Sequence, residues 1–316
     1  MKRRVGVLLV GALALTLSAE LGARWVLGLG DPPLTILDPE IEYLFAPNQD
    51  LRRFGNRVIY NDVSMRSADA WANVAKRPDE LRILVLGDSV INGGALTDHE
   101  RLATTIAQKA LDHAKRPVRV GNASAGSWGP ENWLAYVDRY GTFGADLVVV
   151  VASTHDLRDV RTFPEELGPD FPLAKPTSAL GEGIGRYLLP RLGLAERPPP
   201  PATAPSDAVD RSVAALEELF RKVRETGAHL VVLHHPERDE PDRDLAHDAL
   251  LLRAVVERSG HVVVPMSAWL GTVGRRNRYY SDEIHINEDG QKVYADILIC
   301  LAENRGSAQS CARPRR

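Results

Sequence analysis

Cysteine is scarce in this chain: Cys300 and Cys311 are the only two among 316 residues. At most one intramolecular disulfide can therefore form. In an exported protein it would staple the tail to the last helix. Cys300 follows Ile297 and Leu298, so a plain buried cysteine is the competing reading. An excess of either charge is also missing. The formal net charge of −3 gives no electrostatic basis for binding nucleic acid. Metal-ligand spacing is absent as well, because His234-His235 has no third ligand at a recognisable distance along the chain. No internal repeat is apparent. No metal and no cofactor is expected, and the oligomeric state is open.

What remains is an ordinary globular composition, 44% hydrophobic and 26% charged, ample for one sizeable core. The chain opens with the basic cluster Lys2-Arg3-Arg4, followed by an uncharged, mostly apolar run from Val5 to Ala19. Glu20 and Arg24, at i,i+4, can pair on a helix, and apolar residues resume to Leu29. The segment is long enough to span a bilayer. Leu17 and Ala19 do not form the small-x-small pattern of a cleavage site, so residues 1–30 read as a signal-anchor rather than a cleaved signal. In either case the basic end stays in the cytoplasm and the rest is exported to the periplasm or extracytoplasmic space.

Residues 31–80, with Pro32, Pro33, Pro39 and Pro47, read as an extended linker with a short strand at Val58-Ile59-Tyr60. From Leu81 strand and helix patterns alternate. Strands are expected at Ile83–Leu86, Val118–Val120, Leu147–Ala152, Leu230–Leu233 and His261–Val264. Helices are expected after Thr97-Asp-His-Glu100 (a capping box) to about His113, over Glu131–Tyr140, from Ser206 to Gly227, over Leu245–Arg258, and from Asn287 onward. Five strands separated by helices predict an α/β fold, three-layer α/β/α with a five-stranded parallel sheet. Proline-dense residues 160–205 read as an insertion beside the site, with a short helix at Gly181–Leu192 and a stiff spacer at Pro198–Pro201. The main domain thus covers 81–305, and 306–316 form a tail.

Gly87-Asp88-Ser89 ends the first buried strand, where open α/β folds place their chemistry. A serine hydroxyl needs a base within reach, and that base needs a group to orient it. Asp282-x-x-His285 supplies both on one loop. Ser89 first and Asp282-x-x-His285 last resembles the SGNH hydrolases, the GDSL esterase family, over about Leu81–Leu301. The resemblance implies a flavodoxin-like sheet with Ser89, Asp282 and His285 as the catalytic triad. It also implies an oxyanion hole made by the N–H of Ser89, a second-block N–H within Asn122–Ser127, and a third-block asparagine. Gly126 is the expected second donor, Ser127 the alternative under a one-residue shift. The third block reads Ser153-Thr-His-Asp156, so His155 stands in the asparagine's place, and its ring can donate from Nε2.

Asn61-Asp-Val-Ser-Met-Arg66 resembles the Asn-x-x-Gly-x-Arg element of membrane-anchored bacterial members, with Ser64 replacing the glycine; as a local feature it reads as a turn packing on the main domain. Asp88 and Asp156 read as loop-fixing groups. Trp128 and Trp133 read as core, with sugar stacking as the functional alternative. The function implied is a serine-dependent ester hydrolase or O-acyl (acetyl) transferase acting on an exported or cell-envelope carbohydrate. The alternative is a catalytically weak carbohydrate-binding or assembly protein, motivated by His155.

Overall fold

The structure is a computed structural model. It describes residues 2–112, 116–163, 167–168, 170–194, 204–241 and 245–311. The expected Pro198–Pro201 spacer lies outside them, as does His113.

Five runs rich in Val, Leu and Ile form the central sheet: β5 (Leu81–Gly87), β6 (Val118–Ser124), β7 (Leu147–Ser153), β8 (His229–His235) and β9 (Val262–Pro265). All pairings are parallel, in the order β6-β5-β7-β8-β9. Because strand side chains alternate between faces, each strand feeds two cores. Ile83, Val85, Val149 and Val151 pack with helices α3 (Ala103–Asp112) and α10 (Glu288–Glu303). Leu84, Leu86, Val148 and Val150 pack against α4 (Pro130–Tyr140), α7 (Ala208–Glu225) and α8 (His247–Arg258). This is the expected three-layer α/β/α fold. The strand order reverses between β5 and β7, the position where such sheets open a crevice at their carboxyl ends.

The linker expected over 31–80 is instead folded. β1 (Thr35–Asp38) pairs antiparallel with β2 (Glu42–Phe45), and β3 (Gln49–Arg53) with β4 (Asn56–Tyr60). The second hairpin closes on Phe54 (φ 52°) and Gly55 (φ 84°), two left-handed residues whose twist suits a tight hairpin. Ile41, Tyr43, Leu44, Met65 and Trp71 are buried in the core beneath α4. The prolines that suggested a linker all lie in connections. The strands are four or five residues long, too short for their alternation to register. In the Asn61 motif, Ser64 takes φ 62°, the conformation that glycine adopts without strain. Arg66 is fully buried and donates to the carbonyls of Gly94 and Thr97.

Helix boundaries fall within a few residues of expectation, but two caps differ. Asp98, not Thr97, accepts from the N–H of Glu100, and it opens a short 3₁₀ turn ahead of α3. Asp207, not Ser206, precedes α7. Gly227 is left-handed as expected. Asn287 caps α10, accepting from Asp289 and Gly290. Cys300 and Cys311 are joined, with Cα atoms 5.9 Å apart.

Helix α1 (Lys2–Trp25) leaves nearly all its apolar side chains exposed, and the stretch Arg4–Trp25 is long and apolar enough to cross a membrane. Its foot is docked on the insertion. The Glu20 carboxylate accepts from the N–H groups of Ala179 and Leu180 and from the Ser178 hydroxyl. The insertion runs helical from α5 (Ala179–Glu182) through a π-helical stretch (Gly183–Leu188) to α6 (Leu189–Arg191).

Candidate active site

Ser89 is the first residue of α2 (Ser89–Asn92), directly after β5. Asp88 caps this turn, its carboxylate accepting from the Val90 N–H at 2.9 Å. Gly87 permits the sharp strand-to-helix turn: a Cβ there would lie 2.7 Å from the Ile91 side chain and 3.2 Å from the Val151 carbonyl. The far end of α2 is pinned by three partners. Asn92 donates to the Ser124 carbonyl at 2.7 Å and accepts from the Tyr60 hydroxyl at 3.0 Å, while Asn122 donates to the Ile91 carbonyl at 2.8 Å. The Trp133 indole N–H donates to Gly87 O at 3.0 Å. Trp128 and Trp133 are both buried, so they belong to the core and present no stacking face.

The loop before α10 brings the other two residues to Ser89. The Ser89 hydroxyl lies 2.8 Å from His285 Nε2, and His285 Nδ1–H donates to Asp282 Oδ2 at 2.7 Å. Asp282 Oδ1 accepts from the N–H groups of Ile284 (2.9 Å) and His285 (2.7 Å). Burial works to raise the Asp282 pKa, but these two N–H bonds and the His285 ring outweigh it and hold the carboxylate below its usual range. An ionised Asp282 fixes one tautomer of His285, leaving Nε2 as the acceptor that faces Ser89.

Gly126 lies across the cleft from this pair. It and Ser89 line one cavity of about 350 Å³, whose other walls include Phe45, Phe54, Tyr60, Phe171 and Tyr187. The Gly126 N–H has no acceptor among the described residues. Its carbonyl accepts from the Tyr43 hydroxyl, and a Cβ at Gly126 would lie 3.0 Å from the Phe171 ring. A second cavity of about 510 Å³ also reaches Ser89, and its walls include Gly93–Thr97, Asp282 and His285.

The His155 ring, the expected third donor, faces three carboxyl groups. It lines neither cavity. Nε2 lies 3.4 Å from Asp88 Oδ2 and 3.3 Å from Asp156 Oδ1, and Nδ1 lies 3.6 Å from Glu237 Oε1. Burial alone would lower its pKa, but Asp156, with Asp88 and Glu237, outweighs that and raises it to about 11. The two sides of this contact compete for one proton, since burial and then Asp88 raise the Asp156 carboxyl well above its ordinary range although the ring pulls it down. We take the ring as the proton's holder, because it serves both buried carboxylates at once. The donor atoms of Asp88, His155 and Asp156 converge within 4.8 Å, close enough for a metal ion.

His234 and His235 do not converge on a metal site. His235 Nε2 lies 2.9 Å from the Ile284 carbonyl, which can only accept, so Nε2 donates; Nδ1 then accepts from the Tyr294 hydroxyl at 2.6 Å. Burial lowers the His235 pKa to about 4, so the ring is neutral. His234 contacts Arg253 and Thr154. Tyr43, Asn92, His235 and Gln291 all brace the site without having been singled out for it. Gln291 accepts from the Ala103 N–H and donates to the Val90 carbonyl. The His-His pair at a strand end was a visible signal; the others carry no local pattern.

A strand-end serine on a five-stranded parallel sheet, with an Asp-x-x-His loop within hydrogen-bond reach, is the arrangement that the sequence resemblance led us to expect. The chain belongs to the GDSL-like lipase/acylhydrolase family, whose model matches residues 85–293. No curated protein matches it. Similar solved structures include TesA, at 19% identity over 68% of this chain and 93% of that chain, with a TM-score of 0.41. An acetyl xylan esterase is similar at 12% identity over 68% and 96%, with a TM-score of 0.45. An acetylxylan esterase from Geobacillus stearothermophilus is similar at 10% identity over 75% and 97%, with a TM-score of 0.42.

Proposed function

We propose that this member of the GDSL esterase family is an ester hydrolase or O-acetyl transferase acting on an exported or cell-envelope carbohydrate, with Ser89 as its nucleophile. The observation that carries the reading is the Ser89–His285–Asp282 chain of hydrogen bonds at 2.8 and 2.7 Å. In this reading Ser89 Oγ attacks the ester carbonyl carbon as its proton passes to His285 Nε2. The N–H groups of Ser89 and Gly126 receive the oxyanion. Collapse expels the alcohol, which takes the proton from His285. The acyl group on Ser89 then passes to water, or to a sugar hydroxyl, with His285 again acting as base. This reading counts on two donors, with His155 engaged by carboxyl groups, and one such donor is worth about 2.7–4 kcal/mol.

The aromatic walls of the 350 Å³ cavity favour a ring-shaped or acyl-bearing substrate. The apolar α1 and the Cys300–Cys311 bond favour an anchored protein whose catalytic domain faces an oxidising compartment. Hydrolysis of an aryl acetate by the full chain tests the mechanism. Ser89→Ala and His285→Ala should remove nearly all turnover while the protein stays folded. Near-wild-type cleavage by folded Ser89→Ala would sink the assignment.

A further inference from the structure

The insertion helix carries a face that the catalytic reading does not use. Ile184, Leu188 and Leu192 recur every four residues, and all are exposed, Leu192 by 58%. In a helical run with a π-helical centre, that spacing keeps them on one side. The other side is fully occupied. Ala179 is buried with Ala23 and Leu29; Glu182 pairs with Arg53 and accepts from the Gly30 N–H; the Tyr187 hydroxyl accepts from Arg53 at 2.9 Å. The insertion helix is thus clamped to the foot of α1 and to the tip of the second hairpin. Further apolar exposure lies at that foot, where Trp25 is 84% and Val26 73% exposed. Arg191 is also exposed, a cation suited to a headgroup layer.

The length of α1 bears on what covers this face. From Arg4 to Ala19, before Glu20 and Arg24, the helix rises about 24 Å at 1.5 Å per residue. A hydrocarbon layer is about 30 Å thick. A bilayer spanned by α1 therefore reaches the turn of Glu20 and Arg24, and Glu20 is the residue that holds the insertion helix. We infer that the insertion helix is a second membrane contact: Ile184, Leu188 and Leu192 seat, with Trp25, in the interface of a lipid bilayer, and the Ser89 cleft opens at that surface. Arg53, Phe54, Arg186 and Tyr187 line the Ser89 cavity from this side, so the wall of the cleft is built from the segments that meet the lipid. The inference rests on the anchor reading of α1, and it adds that the enzyme works on esters presented at the membrane face.

The test uses the full chain in vesicles of phosphatidylethanolamine and phosphatidylglycerol. Because both native cysteines are in the disulfide, Leu9→Cys, Leu188→Cys and Leu192→Cys each give a single site for a spin label. Collision rates with dissolved oxygen and with a water-soluble nickel chelate then report depth. Oxygen should dominate at all three sites, most strongly at position 9. Lipid exposure at 9 with nickel-dominated collisions at both 188 and 192 overturns the interfacial helix and leaves the anchor standing. Nickel-dominated collisions at 9 overturn the anchor reading, and the inference with it.

Discussion

His155 stands where the family resemblance calls for an asparagine, and its ring meets two buried carboxyl groups. Its raised pKa favours a positive charge between Asp88 and Asp156, each 1% exposed. Asp88 in turn caps the helix that presents Ser89. Removing one partner of a buried ion pair costs about 3–5 kcal/mol, with the lower end expected here because the ring is 28% exposed. His155→Ala should therefore destabilise the fold, as well as lowering kcat through a loosened Ser89. His155→Asn should not rescue it, since a neutral amide cannot supply the charge that the buried carboxyl pair lacks. The pH dependence follows from the sign of the shift. A folded pKa of about 11, above the ordinary 6.5, gives stability that is fully present below pH 6.5 and lost progressively as pH rises through 11. The difference in urea midpoint between wild type and His155→Gln should be widest near pH 6.5 and shrink on going alkaline. A gap that stays constant over that range would contradict the charged-ring assignment.

The loop from Ser281 to Asn287 carries two of the three catalytic candidates, yet Asp282 and His285 are about half exposed, at 56% and 45%. Its order comes from backbone ties. Ser281 N–H donates to His285 O at 2.8 Å, Arg238 N–H to Glu283 O at 2.8 Å, and neutral His235 to Ile284 O at 2.9 Å. His235→Phe keeps a ring of similar size, since His235 is stacked on Tyr280 at 5.5 Å. It releases Ile284 and leaves the Tyr294 hydroxyl buried without its partner, a cost of about 1–3 kcal/mol. We expect kcat for aryl acetate to fall by about tenfold, corresponding to some 1.4 kcal/mol, with KM nearly unchanged and a lower melting temperature. Wild-type kcat in this variant would show that the loop is ordered without β8. The Asp-x-x-His spacing was legible in the sequence because one short loop holds both groups, and Asn287 marks where it ends. The bracing by Asn92, Tyr43 and Gln291 was not legible, because each contact joins segments at least 30 residues apart and none leaves a period or motif.

The five-stranded sheet was readable from its apolar runs because strands buried on both faces need no polar alternation. The amino-terminal hairpins were not. Their strands are short, prolines punctuate their turns, and what fixes them is burial of Ile41, Tyr43 and Met65 under α4, a tertiary effect. Those hairpins and the insertion build the aromatic side of the Ser89 cleft, so the part of the molecule that shapes substrate choice is the part the sequence showed least clearly. The proposed mechanism depends on one covalent event. Full-length protein quenched during turnover of an aryl acetate, then analysed by intact mass and peptide mapping, should carry one acetyl group, on the peptide containing Ser89. A protein that turns over the ester with no acyl group on Ser89, or with the group on another residue, would contradict the account.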